Sequence, residues 1–269
     1  MMYNDVVYLG ISAMLDIYQE IIRIQTEGGE AALATIVSTK GSTPRETGAK
    51  MLVKGDGTTV GSIGGGNAES KVCREAKQVI MDGKPKILHL DLTGRGPIDM
   101  VCGGIMDVFI EPIESRPTLY IFGSGHISFP LVDVGKVAGF KVVVVDDRPE
   151  FASRERLPDA NQVLCDQFES AFLTLKIGPS GYIVIATQTH QSDERVLELA
   201  LSTPANYVGL LASRKKKETI FSRLKAKGTP QELLDKVHSP IGLEIRAETP
   251  EEIAISILAE IIKVRRSSA

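Results

Sequence analysis

Gly123 and Gly125 follow directly on the apolar run TLYIF, and Asp146 stands 23 residues beyond Gly123, at the end of a second apolar run, KVVVV. A dinucleotide-binding turn uses its first glycine for a tight bend and its second to let pyrophosphate approach the backbone; an acid after the next strand takes the ribose hydroxyls. Ser128 stands where the third glycine of such a turn falls. The plainer reading is a tight connection between a strand and a helix. Redox chemistry on a bound dinucleotide would also need an acid/base group, commonly a histidine. Of the four histidines, His126 lies inside the turn and His190 follows the run GYIVIA in the loop TQTHQSD. Parallel sheets present ligands at the carboxyl ends of their strands, so His190 is the candidate acid/base residue if the chain is an NAD(P)-dependent oxidoreductase.

A second set of residues lies upstream in three glycine-bearing loops, GSTPRETGAKM (41–51), GSIGGGNAES (61–70) and MVCGGIMDVFIEP (100–112). Successive glycine amides can form a concave nest for an anion, and Arg45 and Lys50 add positive charge for phosphate or carboxylate. Gly64, Gly65, Gly66, Gly103 and Gly104 are the nest candidates. Any one of these loops taken singly reads better as a tight turn in a twisted sheet, and it is the three together that point to a ligand. The run Arg214-Lys215-Lys216-Lys217 opens a helix after YVGLL; it reads either as a solvated face or as a phosphate site built on Ser213 and the helix N-terminus.

The elements that must position these residues fall into two halves. Apolar residues recur at near-helical spacing from Ser12 to Glu27, where Gly28-Gly29 end the run. AALATIVST (31–39) and AKMLVKGDGTTVGSI (49–63) are strand-like, the latter folded about Asp56-Gly57, a strong hairpin signal. Asn67 is placed to cap a helix through NAESKVCREAKQVIMD, and KILHLDL and GIMDVFIEP return to strand patterning. This predicts a β-rich α+β domain over 1–114, with a junction at Ser115-Arg116-Pro117. From 118 to 269 strands and helices alternate, which predicts a Rossmann-like α/β domain with a parallel sheet. Thr249-Pro250-Glu251-Glu252 is a capping box that opens the last helix.

Composition narrows the class. Of 269 residues 43% are hydrophobic and 24% charged, the balance of a globular protein, and the net charge of -3 gives no overall basic footprint for nucleic acid. No apolar run approaches the roughly 20 residues that span a bilayer, and the first residues lack a basic leader segment, so a cytoplasmic location is expected. Cys73, Cys102 and Cys165 are too few and too scattered for a disulfide framework or a spaced zinc site.

Taken in order, GSTPRETGAKMLV, GSIGGG followed by Glu69, CGGIMDVFIEP, FGSGHI, GFKVVVVDDRPEFASRERLP, YVGLLASRKKK and PIGLEIRAETPEEIAISILAEI resemble the XdhC/CoxI family of xanthine dehydrogenase accessory proteins. The resemblance covers nearly the whole chain. It implies a chaperone that binds molybdenum cofactor (molybdopterin), protects it, and assists its sulfuration and insertion into a xanthine dehydrogenase-type molybdenum hydroxylase. A cysteine desulfurase as sulfur source and a homodimer are further implications. Within that reading Cys102 could offer a soft thiolate to the metal; its bland alternative is a small residue packed under a turn. Asn67, Ser128 and Ala212 depart from residues common in the family, which bears on the identity of any bound nucleotide.

Overall fold

The computed structural model describes residues 15–26, 28–93 and 101–267, the side chains of Val101 and Cys102 excepted. The chain forms two compact units, the first ending at Ser115 and the second beginning at Arg116.

The first unit is a five-stranded antiparallel sheet in the order β3-β2-β1-β5-β4, made of β1 (Glu30–Lys40), β2 (Lys50–Lys54), β3 (Thr59–Gly61), β4 (Lys86–Thr93) and β5 (Val101–Glu114). The alternation along each strand sends one set of side chains to each face. Ala32, Ala34, Ile36, Met51, Val53, Leu88, Leu90, Met106, Val108 and Ile110 pack under helix α2 (Gly66–Asp82), which contributes Ala68, Val72, Ala76 and Val79. The opposite face buries Ala31, Leu33 and Leu52 against Ile17 and Ile24 of helix α1, described over residues 15–26. The Asp56-Gly57 hairpin joins β2 to β3 as expected, with Asp56 Oδ1 accepting from the Thr58 amide at 2.8 Å.

The expected Asn67 cap is corrected. Helix α2 starts at Gly66 with Gly65 at the cap position, and no side chain caps it from there. Glu69 in the first turn reaches back instead: its Oε1 accepts from the Ser62 hydroxyl at 2.6 Å and from the amides of Ile63 and Gly65 at 3.0 and 2.9 Å. A carboxylate at a helix N-terminus satisfies otherwise unpaired amides and complements the dipole. Burial would raise the Glu69 pKa, but these donors prevail and hold it below the ordinary glutamate value.

The second unit carries a six-stranded parallel sheet in the order β11-β10-β9-β6-β7-β8. Its strands are β6 (Thr118–Phe122), β7 (Lys141–Asp146), β8 (Gln162–Cys165), β9 (Gly181–Ile185), β10 (Tyr207–Leu210) and β11 (Val237–His238). Buried on both faces, they read as nearly continuous apolar runs. One face packs α4 (Phe168–Thr174), α5 (His190–Ala200) and α6 (Arg214–Ala226), with Leu234 of the short α7 (Gln231–Leu234). The other packs α3 (Ser128–Val137) and α8 (Pro250–Ser267). The capping box forms: the Glu252 amide donates to Thr249 Oγ1 at 3.3 Å while Glu252 Oε2 accepts from the Thr249 amide at 3.2 Å. Numbered within the unit the order is 3-2-1-4-5-6, so the chain reverses direction across the sheet between β6 and β9. Among the described residues no helix is long and apolar enough to cross a membrane.

Glu69→Ala should cost about 1–3 kcal/mol of stability, the penalty for leaving partly buried donors without their charged acceptor, with Glu69→Gln losing less. Because the folded pKa is lowered, the contribution is complete above the unfolded glutamate range and is lost as the pH falls through the folded value. Urea denaturation of the three proteins at neutral and acid pH checks this: the difference between wild type and Glu69→Ala should shrink on acidification.

Candidate functional site

The switch between β6 and β9 brings together the turn after β6 and the loop after β9, because the two strands pair in parallel from Thr118↔Gly181 to Phe122↔Ile185. Gly123 is required by that closeness. Its φ is +101°, and a Cβ there would lie 2.6 Å from the Ala186 carbonyl carbon and 2.9 Å from Thr187 Cα. Gly125 differs: a Cβ on it would meet nothing within 4 Å. Ser128, in the place of a third glycine, is fully buried and donates its hydroxyl to Gly123 O at 2.7 Å, closing the turn. The Ser128 amide bonds Gly125 O at 3.1 Å, which leaves the amides of Gly125, His126 and Ile127 without a partner among the described residues. Unpaired amides at the start of a helix favour an anion.

Asp146 is where the expected geometry changes. Its carboxylate, 1% exposed, accepts at Oδ2 from the Ser124 amide (2.7 Å), the Ser124 hydroxyl (2.9 Å) and Arg148 Nη2 (2.9 Å). Oδ1 accepts from the Arg148 amide (3.1 Å) and Arg148 Nε (2.8 Å). Burial alone would raise the Asp146 pKa; these donors overcome it and hold the group at about 2. Asp146, read in the sequence as the acid that takes a ribose hydroxyl, is here engaged by donors of the chain itself. Sequence reasoning missed Ser124 and Arg148 as its partners; the only signal was an arginine two residues after the acid.

His190 opens α5 behind the Thr189 cap, exposed, as is His126 in the turn after β6. Both lie at the carboxyl edge of the two central strands. Ser213 caps α6 and accepts from the Lys216 amide at 3.3 Å. The basic run after it divides by direction. Lys216 forms an ion pair with the fully buried Asp193, which also accepts from the Thr187 amide and hydroxyl. Lys217 donates to Ser239 O at 2.7 Å, and Arg214 and Lys215 remain exposed.

In the first unit one sheet pairing and one loop contact draw the three glycine loops together. Lys40 pairs with Ile105, so Gly41 faces Gly104 at the end of the β1–β5 ladder. A Cβ on Gly104 would lie 2.8 Å from the Ser42 carbonyl carbon, and one on Gly64 would lie 2.7 Å from Pro44 Cβ. The loop after β1 is thus flanked by the other two. It lines a shallow cavity of about 460 Å³ with Thr39, Gly41, Ser42, Thr43, Glu46 and Thr47, a surface rich in hydroxyls. Arg45 on this loop is exposed, and its guanidinium forms no ion pair among the described residues. Lys50 lies apart in β2, half-buried, donating to Thr35 Oγ1 at 3.0 Å. The Gly65 amide, read as part of an anion nest, is spent on Glu69. Gly66 begins α2, and Gly103 stands in β5 beside Cys102, whose backbone shares that strand. No group of three or more histidine, cysteine or acidic residues among the described residues could hold a bare metal ion.

An antiparallel α+β unit followed in sequence by a Rossmann-type unit defines the class, and comparison with known proteins gives the family. The XdhC Rossmann domain matches residues 119–261, and the XdhC and CoxI family matches residues 24–91. The chain belongs to the XdhC/CoxI family. It is 36% identical over 257 residues to the uncharacterized protein YqeB of Escherichia coli, covering 94% of this chain and 47% of that one. It is 34% identical to a Bacillus subtilis protein named as a probable xanthine dehydrogenase subunit, over 61% of this chain and 47% of the relative. The chain spans about half the length of these two relatives. The molybdenum cofactor insertion chaperone PaoD of Escherichia coli is 22% identical over 94% of this chain and 90% of its own. A crystal structure described as a xanthine dehydrogenase from Bacillus halodurans aligns with a TM-score of 0.51 at 25% identity, covering 93% of this chain and 95% of that one.

The two glycines of the turn should separate under substitution. Gly123→Ala forces a Cβ into the backbone of the β9 loop and is expected to cost about 3 kcal/mol. Gly125→Ala should stay within about 0.5 kcal/mol of wild type, since its Cβ enters open space. Thermal denaturation of both variants decides, and equal losses would contradict the geometry.

Proposed function

We propose that this protein is an accessory factor that binds molybdenum cofactor and supports its insertion into a xanthine dehydrogenase-type hydroxylase. The observation that carries the reading is the convergence, in the first unit, of the hydroxyl-lined loop bearing Arg45 with the Gly103-Gly104 segment that follows Cys102. The cargo is a pterin with a dithiolene-held metal and a terminal phosphate. It brings its own metal ligands, so its binder needs anion-holding donors and at most a soft ligand. Cys102 supplies the soft ligand, Arg45 the charge, and the Ser42 and Thr47 hydroxyls the neutral donors, the Thr43 hydroxyl being spent on Arg45 O at 3.0 Å. Family membership and the likeness to PaoD support the assignment. In the same reading a cysteine desulfurase provides the terminal sulfur and the protein works as a homodimer.

The second unit binds a nucleotide at its switch point. That part is supported by the strand order and by the unpaired amides of Gly125, His126 and Ile127. The same features favour a second reading, an NAD(P)-dependent oxidoreductase acting on a small molecule or on the cofactor, with His190 as its acid/base group.

Anaerobic titration with molybdenum cofactor, followed by desalting and assay of molybdenum and pterin, should show stoichiometric retention by the wild type. Cys102→Ala should lower affinity at least about tenfold, and Arg45→Ala about tenfold, the worth of one charge-assisted hydrogen bond. Full affinity in Cys102→Ala would remove the thiolate. Lack of retention together with turnover of a nicotinamide nucleotide that is lost in His190→Ala would favour the oxidoreductase.

A further inference from the structure

Asp146 has no acceptor capacity left for a ribose. An ionised carboxylate offers about four lone-pair sites, and the Ser124 amide and hydroxyl with the Arg148 amide, Nε and Nη2 already supply five donors. A nucleotide whose adenosine ribose carries free 2′- and 3′-hydroxyls would bring donors to a saturated acceptor, and would have to break the Arg148 pair to use it. Arg148 stands in the opposite condition. Of its side-chain donors, Nε and one Nη2 hydrogen face Asp146, so Nη1 is uncommitted among the described residues, and Cζ lies 3.9 Å from the centroid of the Phe151 ring. A second guanidinium shares that ring: Arg156 lies 4.6 Å from the Phe151 centroid and 5.2 Å from that of Phe129, and its buried Nε has no hydrogen-bond partner. Phe129 belongs to the first turn of α3, directly after the glycine turn. Beside the position that the ribose of a Rossmann-bound nucleotide takes, the loop after β7 therefore shows a spent acceptor, Asp146, and an unspent donor on Arg148, with Arg156 on the same Phe151 ring and lining a cavity with Phe129, Asp133, Glu155 and Asp159.

We propose that the second unit selects a nucleotide bearing a phosphate on the adenosine ribose, NADP in preference to NAD, with Arg148 and Arg156 as the phosphate donors and Asp146 as the anchor of Arg148. The inference rests on the nucleotide reading of the switch point and specifies its ligand. A phosphate is acceptor-only and matches a guanidinium fork, whereas a hydroxyl donor gains nothing from it. The attraction between phosphate and guanidinium is coulombic, so the preference should weaken as salt screens it, even though the exposed Asp147 and Glu150 beside Arg148 oppose the phosphate.

Isothermal titration calorimetry with NADP+ and NAD+, repeated with adenosine 2′,5′-bisphosphate and 5′-AMP, tests the proposal. The phosphorylated member of each pair should bind at least about tenfold tighter, the equivalent of one charged hydrogen bond. Arg156→Ala should weaken NADP+ by about as much and leave NAD+ unchanged. Arg148→Ala uncovers the Asp146 carboxylate and should reverse the order in favour of NAD+, an outcome that a merely structural arginine would not give. Circular dichroism melting establishes that each variant is folded, and Arg156→Ala carries the test if Arg148→Ala is not. NAD+ binding as tightly as NADP+ to the wild type would overturn the inference and leave the nucleotide reading intact. Binding of neither would overturn both.

Discussion

The buried Asp146 carboxylate is the interaction around which the second unit is organised. A charge taken out of water is costly unless each of its lone pairs is met. Here the donors come from two different connections, Ser124 after β6 and Arg148 after β7, so satisfying one carboxylate fixes both loops relative to the sheet. The position of α3 follows, because the same turn ends with the Ser128 hydroxyl on Gly123 O. The Phe151 ring under Arg148 extends the constraint along the loop to Arg156. Local geometry, the orientation of a helix and the placement of the arginines thus have one source.

A comparable carboxylate stands in the first unit with a different consequence. Glu69 takes the Ile63 and Gly65 amides that a glycine-rich loop would otherwise present to an anion. The GSIGGG loop is consequently a support: Gly64 lets Pro44 pack closely, and Pro44 belongs to the loop that bears Arg45. The turn after β6 keeps the amides of Gly125, His126 and Ile127 open among the described residues, since Asp146 uses only that of Ser124. Two glycine clusters that look alike in sequence therefore divide by whether an acid of the chain itself fills them.

Most of the architecture was legible because it rests on period and punctuation. Alternation in AALATIVST, the Asp56-Gly57 turn, the apolar runs of the parallel sheet and the Thr249 to Glu252 capping box each depend on neighbours within a few residues. What was not legible depends on direction. Asn67 is a better cap by residue type than Gly65, yet the chain bends earlier because Glu69 can then reach three donors at once. In the run Arg214 to Lys217 four like residues part ways, Lys216 and Lys217 inward and the other two outward, since successive positions lie about 100° apart on a helix. Arg148 could not be assigned to Asp146 from a spacing of two, which in a strand would have placed it on the same face and in a loop fixes nothing.

The state of Asp146 also separates what the fold permits from what the site does. A 3-2-1-4-5-6 sheet with an acid after its second strand is the usual frame for hydride transfer, but folds host many chemistries and the residues decide. His126 and His190 at the carboxyl edge are exposed, whereas a general base gains from a position that controls its hydration and its distance to the reacting atom. In the first unit the shallow, hydroxyl-lined cavity and the solvent-facing Arg45 suit a ligand that is held through solvated, charge-assisted contacts. Such contacts are individually modest and screened by salt. A factor that hands its cargo to another protein needs that property, because the acceptor must bind the cargo more tightly than the carrier does.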